Sequence, residues 1–222
     1  MGYRINPREA SAADDWVDAF RSIPVAIASD CMGRSVGALG LLAYHGDIHK
    51  TLCGPALTVR VRPGDNLMLH KAMMMAQAGD VIVVDGSGDL SQALIGGLMR
   101  TTAMQRGLGG FVIDGAIRDL VEWADGAMAI YARGHTHRGP SKDGPGEINI
   151  PVACAGLAVQ PGDLLLGDAD GVVAIPARDL PALHAACLAK LAAEDRTRAL
   201  NAAGQTDPAR FDALLRQKGL PV

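Results

Sequence analysis

The sequence predicts an α/β fold on three observations. Residues 80–89 (DVIVVDGSGD) and 109–120 (GGFVIDGAIRDL) each carry an unbroken apolar run that ends in glycine, the pattern of strands buried on both faces. Segments with apolar residues at helical spacing, 66–79 and 91–107, alternate with those runs. Hydrophobic residues make up 49% of the chain and aromatics only 4%, so the core is built from Ala, Val, Leu, Ile and Met.

Taken in order, residues 8–22 read as a polar-faced helix anchored by Trp16, Val17 and Phe20. Pro24 restarts the chain into a short helix over 24–34, with Gly33 as its stop. The glycine-rich stretch 35–50 begins the sheet. Residues 56–63 (ALTVRVRP) alternate as a half-buried strand does, and Pro63-Gly64-Asp65 turns the chain. The helix over 66–79 holds four methionines, which read as core filler. Ser91 is the expected cap of the helix over 91–107, and Gly107 its stop. Strands follow over 128–134, 148–159 and 163–176, with a long turn-rich loop at 136–149. Two helices, 179–202 and 207–219, close the chain, so 1–176 reads as one domain and 177–222 as its helical extension. A Gly-Asp step after Pro or Ala recurs at 63–65, 78–80 and 161–163. It fits either an internal repeat or shared turn chemistry.

A chain of 222 residues buries roughly 70% of its unfolded surface and needs no staples. The net charge of −3 gives no electrostatic pull toward nucleic acid. No apolar run approaches the ~18 residues of a membrane span, and the N-terminus lacks a signal-peptide core. Four cysteines (31, 53, 154, 187) without paired spacing read as free thiols in a reducing compartment, and the expected location is the cytoplasm.

Three motifs bear on chemistry. Gly86-Ser87-Gly88 after a strand suggests a dinucleotide or methyl-donor loop, but Ser91 stands where the fingerprint needs its third glycine. His135 and His137 are spaced to face one side of a strand, a weak metal signal read mainly as a solvated loop. Gly96-Gly97 at a helix start leaves backbone N–H groups open to an anion. About twenty residues later a buried strand ends in Arg118-Asp119. The guanidinium clamps an oxyanion, and the carboxylate holds a hard cation largely through water. A surface ion pair beside a close-packed glycine pair is the structural alternative.

The blocks GGLMRTTAMQRGLGGFVIDGAIRD and YARGHTHRGPSKDGPGEINIPVACAGLAVQPGDLLLGDADGVVAIP resemble the RraA-like family. That family contains class II 4-hydroxy-4-methyl-2-oxoglutarate/4-carboxy-4-hydroxy-2-oxoadipate aldolases and the RraA regulators of ribonuclease E. The likeness runs from Pro24 to Pro176. It implies an α/β sandwich with a swivelling β/β/α core, in homotrimers or homohexamers with sites between subunits. It implies pyruvate binding by the backbone of Gly96, Gly97, Leu98 and Met99, substrate contact by the catalytic Arg118, and Mg²⁺ or Mn²⁺ on Asp119. The implied activity is metal-dependent cleavage of a 4-hydroxy-2-oxo acid to pyruvate, decarboxylation of oxaloacetate, or both. A non-catalytic protein-binding regulator is the alternative. The family's aldolases carry an acidic residue separated by twenty residues from Arg-Asp. This chain has Gly97 there, so decarboxylation is expected to outrun aldol cleavage. Five lysines, none in a buried-strand context, favour metal over Schiff-base chemistry.

Overall fold

The computed structural model describes residues 1–8, 11–207 and 209–222. Strand β1 spans Tyr3–Ile5. A 3₁₀ turn at Ala12–Trp16 runs into α1 (Val17–Phe20) and then α2 (Val25–Cys31). The single helix expected over 8–22 is therefore a 3₁₀ turn, capped by Ser11, followed by one α-turn. Residues 9 and 10 of that stretch lie outside the described residues.

Next come β2 (Leu42–Ala43), β3 (Leu52–Val61), α3 (Leu67–Met75), β4 (Val81–Ile95) and α4 (Gly97–Gln105). They are followed by β5 (Gly110–Ile117), α5 (Leu120–Trp123) and β6 (Ala129–His135). Four short strands come next: β7 (Gly146–Ile148), β8 (Val152–Cys154), β9 (Leu157–Val159) and β10 (Leu164–Asp168). Strand β11 (Gly171–Ile175), a 3₁₀ turn, α6 (Leu180–Ala202) and α7 (Ala209–Gln217) end the chain.

The central sheet runs β1-β7-β3-β4-β5-β6-β2, and the β10–β11 hairpin pairs with the first half of β3. Strands β3, β4, β5 and β6 are mutually parallel. One face carries α3, α4 and α5, whose Leu69, Met73, Met99, Ala103 and Trp123 pack on Val59, Ile82, Val84, Phe111 and Ile113. The other face meets the β8–β9 hairpin through Val81, Val83, Val112 and Tyr131. The layers are thus hairpins, sheet and helices. This explains why β3, which alternates in sequence, is buried almost throughout: its charged position, Arg60, pairs with Asp85 and Glu147.

Helix α6 buries Leu180, Leu183 and Cys187 with α2 and the 3₁₀ segment, then runs on with Leu188 and Leu200 half exposed. All four cysteines are free. Burial pushes the Cys53 thiol up to about 11 and that of Cys187 to about 12, so neither is a ready nucleophile.

The most informative departure from the sequence is at 91–107. The pattern there predicts a helix capped by Ser91, but Ser91 lies within β4 and its hydroxyl donates to Asp89 Oδ2. After the in-register pairs Val81↔Gly110 to Asp85↔Asp114, the Gly-Ser-Gly segment bulges out, with Ser87 and Gly88 at positive φ. The chain then meets β5 again at Asp89↔Gly115, Ala93↔Ala116 and Ile95↔Ile117, with a register shift between each pair. Sheet pairing with β5 overrides the helical spacing, and the helix begins only at Gly97.

The three Gly-Asp turns share chemistry rather than a repeat. Each has a positive-φ glycine: Gly64, Gly79 and Gly162. Asp80 and Asp163 each accept the N–H three residues back, at Gln77 and Gln160. Asp65 instead leads into a helix and accepts from Leu67 N, Ser141 Oγ, Asp143 N and Gly144 N. Burial would raise its carboxyl, but these hydrogen bonds outweigh burial and hold it below the usual range. Asp65 thereby anchors the 141–144 loop, whose preceding residues, Arg138 and Gly139, accept through their carbonyls from Ala93 N and Gln92 Nε2 near the end of β4.

Candidate functional site

The carboxyl ends of parallel strands are where open α/β sheets present their reactive groups. Here β4 ends at Ile95 and gives way to Gly96 and α4, while β5 ends at Ile117 and gives way to Arg118-Asp119. The two turns are tied together: Arg118 N donates to Ile95 O at 3.0 Å, and Gly97 N donates to Asp119 Oδ2 at 2.8 Å. The structure therefore brings Gly96, Gly97, Arg118 and Asp119 into one constellation.

Asp119 sits at φ 60°, ψ 46°, in the left-handed region. Asp tolerates this conformation better than most residues, though at a cost. The conformation is held by Trp123, whose indole donates to Arg118 O at 3.0 Å and whose ring is fully buried edge-on against Phe111. The turn that aims Arg118 and Asp119 is thus locked from below by an aromatic anchor.

Gly96 has to be glycine for a steric reason. A Cβ there would lie 2.3 Å from Asp119 Oδ2 and 2.9 Å from Arg118 Cγ. Any side chain would displace both residues.

The open amides at the start of α4 are fewer than the Gly-Gly pair suggests. Gly97 N is taken by Asp119, and Met99 N donates to Gly96 O at 3.1 Å. Leu98 N has no hydrogen-bond acceptor among the described residues. The Leu98 side chain is 86% exposed, whereas that of Met99 is buried in the core, so Met99 offers only backbone here.

Arg118 and Asp119 are each about two-fifths exposed, with Arg118 Nε 3.7 Å from Asp119 Oδ2. They line a cavity of about 290 Å³ with Leu120, His135, Thr136 and His137. His135 ends β6 and shares a 3.3 Å contact between its Nδ1 and Tyr44 Oη. No group of three or more His, Cys, Asp or Glu that could hold a metal occurs among the described residues. A cation here would have Asp119 as its protein ligand. Asp119 Oδ2 is oriented by Gly97 N–H, and Oδ1 is without a partner among the described residues. One hard oxygen beside open space fits a largely hydrated Mg²⁺.

A cavity of about 620 Å³ lies elsewhere, between the N-terminal segment and Gln160–Gly162. The one charged side chain among the described residues that line it, Arg8, is committed to Asp80 through bonds of 2.7 and 2.9 Å.

Sequence reasoning passed over Glu122. It lies one helical turn beyond Asp119, and its carboxylate covers Gly97. The i, i+3 spacing from Asp119 was the available signal.

A family model described as RraA-like, Aldolase/RraA, matches residues 25–174. A protein of Halalkalibacterium halodurans named "Putative 4-hydroxy-4-methyl-2-oxoglutarate aldolase" is 40% identical over 167 residues, which is 75% of this chain and 79% of that protein. The 4-hydroxy-4-methyl-2-oxoglutarate aldolase of Thermus thermophilus is 37% identical over 55% of this chain and 74% of its own length. Among solved structures, the RNA-processing inhibitor RraA from Thermus thermophilus superposes with a TM-score of 0.59 at 29% identity, covering 76% of this chain and 93% of its own. With the family model running from α2 to β11 and enclosing every residue of the site, this chain belongs to the RraA-like family, Aldolase/RraA.

Proposed function

We propose that the protein is a divalent-cation-dependent lyase that cleaves a 4-hydroxy-2-oxo acid, of the 4-hydroxy-4-methyl-2-oxoglutarate type, to pyruvate. We propose that it also decarboxylates oxaloacetate, which yields the same enolate. The observation that carries this reading is the joining of Arg118 and Asp119 to the start of α4 by the bond between Gly97 N and Asp119 Oδ2. The names of the two curated relatives supply the substrate class.

Both reactions leave a pyruvate enolate whose charge needs stabilising. Arg118 offers a forked donor for a carboxylate or the developing oxyanion. Leu98 N, at the positive end of α4, offers a further donor. Asp119 would hold Mg²⁺ or Mn²⁺, which when bound supplies a Lewis acid for the keto oxygen. No lysine lines the cavity among the described residues, which supports the metal route over a Schiff base.

The test is pyruvate release from both substrates, read by coupled lactate dehydrogenase, with Mg²⁺ and again with EDTA. Release with metal and its loss with EDTA are expected. No release from either substrate under any divalent ion would favour the protein-binding regulator, the reading that the RraA structural relative suggests.

The site is proposed to lie between subunits of a homotrimer or a dimer of trimers. Leu98 and Val121 flank it and are 86% and 90% exposed in the single chain. Light scattering at micromolar concentration is expected to give a three- or six-fold multiple of 23.1 kDa, and a monomer would contradict the proposal.

A further inference from the structure

Aldol cleavage makes one demand that decarboxylation does not: the C4 hydroxyl must lose its proton as the C3–C4 bond breaks. We propose that Glu122 is the group that takes this proton, its carboxylate occupying the space left open by the missing side chain of Gly97. This inference rests on the lyase reading above.

The geometry is specific. A Cβ built on Gly97 would fall 2.2 Å from both Glu122 Oε1 and Oε2, and 2.3 Å from Cδ. The carboxylate itself therefore fills the first-atom position of a side chain at 97. Gly97 is absent from the positive-φ residues, so its backbone does not require glycine, and the atoms a side chain there would meet are the movable end of Glu122. Glu122 is held there from α5: its N–H donates to Asp119 O at 3.0 Å, and the neighbouring Trp123 is fully buried.

Three other titratable side chains, Asp119, His135 and His137, line the cavity with Arg118 among the described residues. Asp119 Oδ2 caps Gly97 N, and the Nδ1 of His135 is engaged by Tyr44. His137 lines the cavity from beyond the end of β6. The Glu122 side chain takes no hydrogen bond or ion pair among the described residues. It is thus an uncommitted carboxylate on the turn that also carries Arg118 and Asp119.

The step balances without a co-reactant. The hydroxyl proton passes to Glu122, and C4 becomes a ketone carbonyl. The electron pair of the C3–C4 bond passes to C3 as the enolate; solvent protonates C3 to give pyruvate, a step common to both reactions, and Glu122 returns its proton to solvent.

The experiment compares wild type, Glu122→Gln, and Glu122→Gln combined with Gly97→Asp. It reads kcat for aldol cleavage and for oxaloacetate decarboxylation, together with Mn²⁺ affinity by titration calorimetry. General acid–base assistance is worth about 10²–10⁴-fold, so Glu122→Gln should lower the aldolase-to-decarboxylase ratio by that order. Mn²⁺ affinity should stay at the wild-type value. The carboxylate added by Gly97→Asp should restore the ratio by about tenfold or more, part of the same acid–base contribution. A parallel fall in both reactions, an unchanged ratio, a collapse of Mn²⁺ affinity, or a double variant no better than Glu122→Gln would each overturn the assignment. A wild type inert toward both substrates would instead remove the lyase reading, and this assignment with it.

Discussion

Asp119→Ala is expected to abolish divalent-dependent pyruvate release while leaving a folded oligomer. Asp119 is the one carboxylate among the described residues that line the cavity, and its loss removes the protein ligand proposed for the cation. Metal polarisation of a carbonyl is worth several kcal/mol, on the order of 10³-fold or more in rate. The cost in stability is smaller. Alanine in the left-handed conformation costs roughly 1–2 kcal/mol, and losing the carboxylate that caps α4 costs about 1 kcal/mol. Asp119→Asn serves as the sharper control, since asparagine tolerates the same φ and can still accept from Gly97 N. Pyruvate release across a Mg²⁺ and Mn²⁺ titration, with a thermal melt beside it, checks both. Full activity in either variant, or Mn²⁺ held by His135 and His137 in a crystal, would show the assignment wrong.

Arg118→Lys is expected to lower kcat/KM by about 10²–10³-fold, the scale of losing one oxyanion donor. The charge survives, but the planar fork does not. The backbone of Arg118 is fixed at both ends, by Ile95 O on its N–H and by Trp123 on its carbonyl, so the lysine would start from the same point on the turn. The substitution therefore isolates the head group. A catalytic efficiency equal to wild type would remove Arg118 from the clamp.

Much of this arrangement was legible from residue order. The glycine-ended apolar runs located β4 and β5, and the strand-end position of Arg118-Asp119 followed from them. The start of α4 was not legible from its own pattern. Residues 91–95 have helical spacing, and pairing with Ala116 and Ile117, about twenty residues away, holds them extended, together with the bond from Ala93 N to Arg138 O. Residues 56–63 misled in the opposite sense. Their alternation suggests one wet face, but an ion-paired Arg60 lies under a second layer of hairpins. Glu122 escaped for a third reason: a carboxylate on a short exposed helix looks like any solvated charge until the absence of a side chain at 97 gives it a place to fill. The N-terminal strand, Tyr3–Ile5, pairs with β7 across most of the chain and leaves no local mark.

The groups proposed to react all belong to one crossover, from the end of β4 through α4 and β5 to the first turn of α5. Arg118, Asp119, Glu122 and the Leu98 side chain stand at least partly in solvent, while the packing beneath them is carried by Met99, Phe111 and Trp123. Exposed positions that carry no cap and no strained backbone, Glu122 and Leu98 among them, change at little cost, usually within about 0.5 kcal/mol, whereas core positions cost several. Chemistry on this scaffold is therefore open to drift, with most of the inheritance of the fold resting on other residues. A lineage could lose its reaction, or relocate an acid from one helix to the next, by single substitutions that leave the sheet intact. Gly97 beside Glu122 has the form such a relocation would take.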